Sequence, residues 1–78
     1  MKLSRDVSGE RLVRALEQLG YSAIRQKGSH TRMRHEGPPV HSITVPLNNP
    51  LKTGTLHGIL SEVAQTRSIT VDALAELL

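Results

Sequence analysis

Hydrophobic residues near the start of the chain recur at intervals of three and four, which is the spacing of one helix face. Leu12 and Leu16 lie in this pattern. Ser8 before it is a favoured N-cap residue, and Gly20 after it is a typical residue to end a helix. The pattern therefore predicts an amphipathic helix over residues 8–19.

The middle of the chain changes to extended segments separated by turn-forming residues. Residues 21–27 and 30–35 are predicted strands joined by a turn at 28–29. A second turn at 36–39 leads to a third predicted strand, residues 40–45, which is rich in β-branched residues. The three segments are expected to pair as a hairpin followed by a further strand.

Two helices are predicted in the last third of the chain. Thr53 is a suitable N-cap for the first of them, and residues 71–78 are expected to form the second, short one. The apolar stripe of the longer helix consists of Leu56, Ile59, Leu60 and Val63. The order helix, strand, strand, strand, helix predicts one α+β domain over residues 1–78, a three-stranded antiparallel sheet with helices on one face, and it resembles a double-stranded-RNA-binding domain.

Alternation along the strands assigns side chains to the two faces of this sheet. The residues expected to face the helices are Ile24, Met33, Ile43 and Val45. The residues expected on the opposite, open face are Arg25, Lys27, His30, Arg32, Arg34, Ser42 and Thr44. One surface is therefore predicted to carry a histidine and four cations.

The chain has ten Lys and Arg against seven Asp and Glu, a net charge of +3. No acid lies between Arg25 and Arg34, so a basic patch is expected there, which attracts polyanions such as nucleic acid. The alternative is an ordinary solvated face whose cations prevent aggregation. Tyr21 is the only aromatic residue, which excludes a base-stacking surface of several aromatic rings and favours contacts to phosphates and 2′-hydroxyls.

Other chemistries are disfavoured by what the sequence lacks. There is no cysteine, so disulfides and thiolate zinc sites are excluded, and no pair of histidines has the spacing of a zinc-binding helix. We predict no metal and no cofactor. No apolar run approaches the ~18 residues of a membrane span, and no apolar signal segment follows the N-terminus, so a soluble cytoplasmic protein is expected.

Three segments together resemble a known family. Residues 25–30 read RQKGSH, residues 43–46 read ITVP, and residues 51–56 read LKTGTL, followed by Ile59 and Leu60. In this order they are similar to the HicA (YcfA-like) family of mRNA interferase toxins. The resemblance implies an endoribonuclease that cleaves mRNA without a metal, with His30 as the catalytic residue. It also implies a HicB-like antitoxin as partner, which occludes the surface around that histidine.

The chemistry of RNA cleavage suits these residue types. The 2′-hydroxyl is the nucleophile, so the reaction needs a base for its proton, an acid for the leaving oxygen, and cations for the developing charge. A histidine serves in the first two roles near neutral pH. Arg25, Lys27, Arg32 and Arg34 are expected to bind phosphate and support that charge.

The turn before His30 has two interpretations. Gly28 permits a close approach of the backbone to a phosphate, or it only turns the hairpin. Ser29 donates a hydrogen bond either to a phosphate or to a backbone group. The alternative to a catalytic role for His30 is that it is a surface histidine that helps to shape the turn.

Three functions therefore remain open. The first is a ribonuclease toxin inhibited by its antitoxin, and the second is a non-catalytic RNA-binding module that uses the same basic face. The third is a small adaptor that binds an acidic protein partner. Truncation of His30 separates the first two, and RNA affinity at low salt separates both from the third.

Overall fold

The computed structural model describes residues 6–78 of the chain. Its elements are the helix α1 (Gly9–Gln18), the strands β1 (Ser22–Lys27), β2 (His30–His35) and β3 (His41–Pro46), and the helices α2 (Thr53–Arg67) and α3 (Val71–Ala75). The strands form one antiparallel sheet in the order β1, β2, β3. The predicted α+β layout is confirmed.

The ends of α1 follow the local signals in the sequence. The Ser8 side chain accepts a 3.1 Å hydrogen bond from the backbone N–H of Arg11, which satisfies one free donor of the first turn. Gly20 follows the helix with φ at +101°, a conformation that a residue with a Cβ rarely adopts. Both predicted caps are confirmed, and the buried face of α1 includes Leu12, Ala15 and Leu16.

The prediction that Thr53 caps α2 is wrong by one residue. The backbone carbonyl of Lys52 accepts the first helical bond, from the N–H of Leu56, so Lys52 is the N-cap and Thr53 is already helical. No side chain caps this end. The predicted last helix is real but ends at Ala75, three residues earlier than expected; Thr70 caps its start through the N–H of Ala73.

The sheet contains an irregularity that alternation alone does not reveal. Ala23 pairs with Met33 and Arg25 pairs with Arg32, so the register of β1 shifts by one residue at Ile24. This is a β-bulge, in which an extra residue on one strand is left without a partner. Ile24 is 54% exposed. The prediction that it faces the helices is therefore wrong, because the bulge turns the Ile24 side chain to the opposite face of the sheet.

The core lies between the sheet and the helices. The fully buried side chains include Met33 and Val45 from the sheet, Leu12 from α1, Leu60 from α2 and Leu74 from α3. All belong to one apolar cluster, so α3 completes the core and Leu77 and Leu78 pack at its margin. Burying a side chain of this size contributes about 1.5–3 kcal/mol relative to exposing it. By contrast, all six residues of β1 are exposed.

No helix within residues 6–78 is both long and apolar enough to span a membrane.

Candidate active site

A tight hairpin presents His30 at the start of β2. His30 is the direct cross-strand partner of Lys27 at the end of β1, and only Gly28 and Ser29 separate them along the chain. Gly28 has φ at +59°, as the turn requires, and no atom lies within 4 Å of the position that a Cβ would take. Since cross-strand partners share a face, both side chains project from the open face of the sheet. Both are exposed.

The hairpin is held from behind by the loop that follows β3. The carbonyl of Ser29 accepts a 2.6 Å hydrogen bond from the N–H of Leu47, and the carbonyl of Asn48 accepts a 2.8 Å bond from the N–H of Gly9. A Cβ on Gly9 would lie 2.0 Å from the carbonyl oxygen of Pro46, so α1 begins in direct contact with the end of β3. These backbone contacts link the N-terminus of α1 to the turn that carries His30.

The open face contains a shallow depression of about 300 Å³ around His30. Its lining residues are Ile24, Arg25, Lys27, His30, Arg32 and Thr44. The structure thus brings together four of the seven predicted site residues. Gly28 and Ser29 form the adjacent turn, and Arg34 lies further along β2.

Two lining residues were not among the predicted site residues. Arg25, Arg32 and Thr44 are cross-strand partners in one row across the three strands. The alternation of side chains along β3 already predicted that Thr44 lies on this face. Ile24 has no such signal in the sequence, because an alternating pattern places it on the opposite face and only the bulge brings it here.

Arg32 is oriented by a neighbour on the adjacent strand. Its Nη1 donates a 2.9 Å hydrogen bond to Thr44 Oγ1. The rest of the guanidinium has no hydrogen bond within the described part of the chain and therefore keeps N–H donors for an anion. Holding a flexible cation in one orientation lowers the entropy cost of binding such a group.

Arg34 differs from the other cations of this face. Its Nε lies 2.9 Å from Glu36 Oε2, in an ion pair whose side chains are 40% and 80% exposed. An exposed pair of this kind is worth at most about 1 kcal/mol, but it partly neutralises the charge of Arg34. The cationic character of the face is therefore concentrated at Arg25, Lys27 and Arg32.

The depression combines groups that can move a proton with groups that can bind an anion. Among residues 6–78 the His30 imidazole has no hydrogen-bond or ion-pair partner, and no carboxylate lines the depression. An exposed imidazole with three cations beside it can take a proton from a hydroxyl while the cations hold a phosphate.

Two further histidines belong to a different, structural cluster at the other end of the sheet. Tyr21 is 2% exposed, and its hydroxyl lies 2.7 Å from His41 Nδ1, while His41 Nε2 lies 2.8 Å from Glu62 Oε2. Burial raises the pKa of Tyr21 above its ordinary value of 10.0, the Arg67 charge opposes this, and the Glu62 charge adds to it. The phenol therefore stays protonated, and its hydroxyl shares a hydrogen bond with His41 Nδ1.

His35 completes this cluster. Its Nε2 lies 3.1 Å from the carbonyl oxygen of Leu19, and its Nδ1 accepts from the N–H of Gly37 and from Arg67. Arg67 also donates to the carbonyl of Pro39. Because Nδ1 accepts, the proton of this imidazole is on Nε2, which donates to Leu19. Both histidines therefore connect α2 to the sheet.

No group of three or more histidine, aspartate or glutamate side chains within residues 6–78 is arranged to hold a metal ion.

Comparison with known protein families identifies a match over most of the chain. A family model described as the HicA toxin of bacterial toxin-antitoxin matches residues 9–64, which is more than two thirds of the chain. The matched range begins with α1 and ends within α2, so it includes the whole sheet and the depression around His30. No curated protein and no solved structure matched the chain.

Proposed function

The chain belongs to the HicA family of toxins of bacterial toxin-antitoxin systems, and we propose that it is an endoribonuclease of the mRNA interferase type with His30 as its catalytic residue. The observation that carries the proposal is the position of His30. It lies directly opposite Lys27 on an open sheet face, beside Arg25 and Arg32 in one depression. RNA supplies the anion and the hydroxyl that such a site can use.

The proposed reaction uses the RNA's own 2′-hydroxyl as the nucleophile. Neutral His30 takes the proton of that hydroxyl, the oxygen attacks the adjacent phosphorus, and the bond from phosphorus to the 5′-oxygen breaks. The products are a 2′,3′-cyclic phosphate and a strand with a free 5′-hydroxyl. The protonated His30 then returns its proton to the leaving oxygen, directly or through water. Such acid-base assistance typically contributes ~10²–10⁴-fold.

The cations have a separate role in this reaction. Attack on phosphorus concentrates negative charge on its non-bridging oxygens, and in this proposal Lys27 and Arg32, which line the depression with His30, stabilise that charge. Arg25, in the same row as Arg32, binds a neighbouring phosphate. No step of this scheme requires a metal ion, because the imidazole supplies the base and the cations supply the charge.

Membership in a toxin-antitoxin family implies a protein partner. We propose a HicB-like antitoxin that covers the depression in the cytoplasm and thereby blocks access of mRNA. Its contacting surface is expected to carry acidic or hydrogen-bonding groups, because it replaces the phosphates at Arg25, Lys27 and Arg32. Formation of such a complex also adds its binding free energy to the stability of this small fold.

A second candidate function is a non-catalytic RNA-binding module. The observation that favours it is the lack, within the described residues, of any side chain that orients the His30 imidazole. Catalytic histidines are commonly held by a hydrogen bond to a second group. Both functions use the same cationic face, so binding alone does not separate them.

The test compares the wild type with His30→Ala on a mixed RNA substrate in the presence of EDTA. The proposal expects cleavage by the wild type only, with salt-sensitive RNA binding by both proteins. In a second substrate the nucleotide at the cleavage position is replaced by its 2′-deoxy analogue. This substrate should be cleaved by neither protein. Equal cleavage by the variant would remove His30 from the mechanism. Binding without cleavage by the wild type would establish the binding module instead.

A further inference from the structure

Ile24 is an apolar side chain on an otherwise cationic surface. It is 54% exposed, and among residues 6–78 only Val40, at 55%, is a comparably exposed large hydrophobic residue. Val40 does not line the depression, whereas Ile24 does. An apolar side chain in this position contributes nothing to the core, so the fold itself does not explain its place.

The bulge in β1 is what places Ile24 there. Without the register shift after Ala23, Ile24 and Arg25 would point to opposite faces of the sheet. With it, both residues border the same depression. Bulges are frequent next to active sites because they redirect a side chain. The sheet therefore departs from regular pairing at the one position that adds an apolar wall to the site.

The resulting depression has two chemical halves. Ile24 provides the apolar wall, and Arg25, Lys27 and Arg32 provide the cationic one, with the Thr44 hydroxyl fixing Arg32. Its volume of about 300 Å³ is at the lower end of the range for small-ligand pockets, ~300–1,000 Å³. A single nucleotide has the matching division, an apolar base face joined to an anionic phosphate.

We propose that this depression is a subsite for one unpaired nucleotide of single-stranded RNA, with Ile24 in contact with the face of the base. The inference rests on the proposed function and adds a substrate class to it. In a duplex both faces of each base are covered by stacked neighbours, so a paired nucleotide cannot present its base to Ile24. Tyr21, the only aromatic residue, is buried, so an aliphatic side chain takes the place that an aromatic ring usually fills.

The test measures binding and turnover with Ile24→Ala and the matched control Val40→Ala, which removes an equally exposed aliphatic side chain outside the depression. Binding is measured in the His30→Ala background, with a single-stranded oligoribonucleotide and with a duplex of the same sequence. We expect Ile24→Ala to weaken single-strand binding by roughly three- to tenfold. Duplex binding should stay within twofold, and Val40→Ala should leave both unchanged.

Turnover on the single-stranded substrate gives the second readout. Ile24→Ala should raise KM with kcat nearly unchanged, since the base contact contributes mainly to binding. Ile24→Leu, which keeps an aliphatic side chain of the same size, should restore most of the affinity. Circular dichroism of each variant checks that the fold is retained.

Other outcomes overturn the inference or separate it from the proposed function. An unchanged single-strand affinity would mean that Ile24 contacts a protein or nothing, and an equal loss on duplex would mean a non-specific effect on the face. If the wild type binds single strands through Ile24 but cleaves none, the proposed enzymatic function fails while the subsite stands. If it cleaves RNA and Ile24→Ala changes nothing, the subsite fails while the enzyme stands. Absence of any RNA binding would overturn both.

Discussion

Lys27 and His30 face each other as cross-strand partners at the closed end of the β1–β2 hairpin. Lys27 and His30 both belong to hydrogen-bonded strands. The distance between their backbones is therefore fixed more firmly than it would be between two residues of a loop. The Lys27 ammonium group and the proposed base therefore border the same depression, where a phosphate can contact both. This relationship, more than total charge, distinguishes the site from a general basic surface.

Replacing Lys27 tests this relationship. Lys27→Ala should lower kcat/KM for RNA cleavage by roughly 10- to 100-fold, because the charge on the cross-strand partner of His30 no longer stabilises the transition state. Lys52→Ala is the control, since it removes an equal charge at the N-cap of α2, outside the depression. Cleavage assays in EDTA measure both. Equal losses in the two variants would mean that only net charge matters.

The Arg34–Glu36 pair is expected to reduce the RNA affinity of the cationic face. Glu36→Gln removes the carboxylate that lies 2.9 Å from Arg34 and should tighten RNA binding by roughly two- to threefold at low salt. Glu10→Gln changes the net charge equally but breaks an ion pair with Arg14 on α1. Binding titrations at two salt concentrations compare them. A similar gain for Glu10→Gln would contradict a local effect.

Two glycines should respond to alanine in opposite ways. Gly9→Ala pushes a methyl group against the Pro46 carbonyl and should destabilise the fold by about 1–3 kcal/mol. Gly58 lies in the interior of α2, with open space where a Cβ would stand, so Gly58→Ala should stabilise by about 0.5–1 kcal/mol. Urea unfolding of both variants measures this difference. Stabilisation by Gly9→Ala would refute the close contact between α1 and β3.

The buried Tyr21 hydroxyl predicts an alkaline loss of stability. Its pKa is raised in the folded protein, so its contribution is complete below its unfolded value of 10.0 and is lost as pH rises beyond it. Tyr21→Phe should be less stable at pH 7 by about 1 kcal/mol, because the bond to His41 is missing. Above pH 10 the gap between the two proteins should narrow. A constant gap in thermal unfolding from pH 7 to 11 would show that folding does not raise the pKa of Tyr21.

Much of the fold was predictable because its signals are local. The cap of α1 needs only Ser8 and its neighbours, and the hairpin needs only Gly28 and the strands beside it. The alternation that placed Arg25, Lys27, His30 and Arg32 on one face also extends over a few residues. The cap of α2 was misplaced by one residue because Lys52 caps through its backbone alone, which leaves no mark on the residue type.

The amino-acid sequence by itself determined the order of helices and strands, the turn before His30 and the cationic face of the sheet. Each of these follows from residues that are close together in the chain. Only the tertiary structure decided that Ile24 lies on that face, that Glu36 pairs with Arg34, and that His41 contacts both Tyr21 and Glu62 of α2. The reason is physical. A β-bulge depends on how two strands settle into register, and the side-chain contacts depend on rotamers and packing between elements that alternation does not encode.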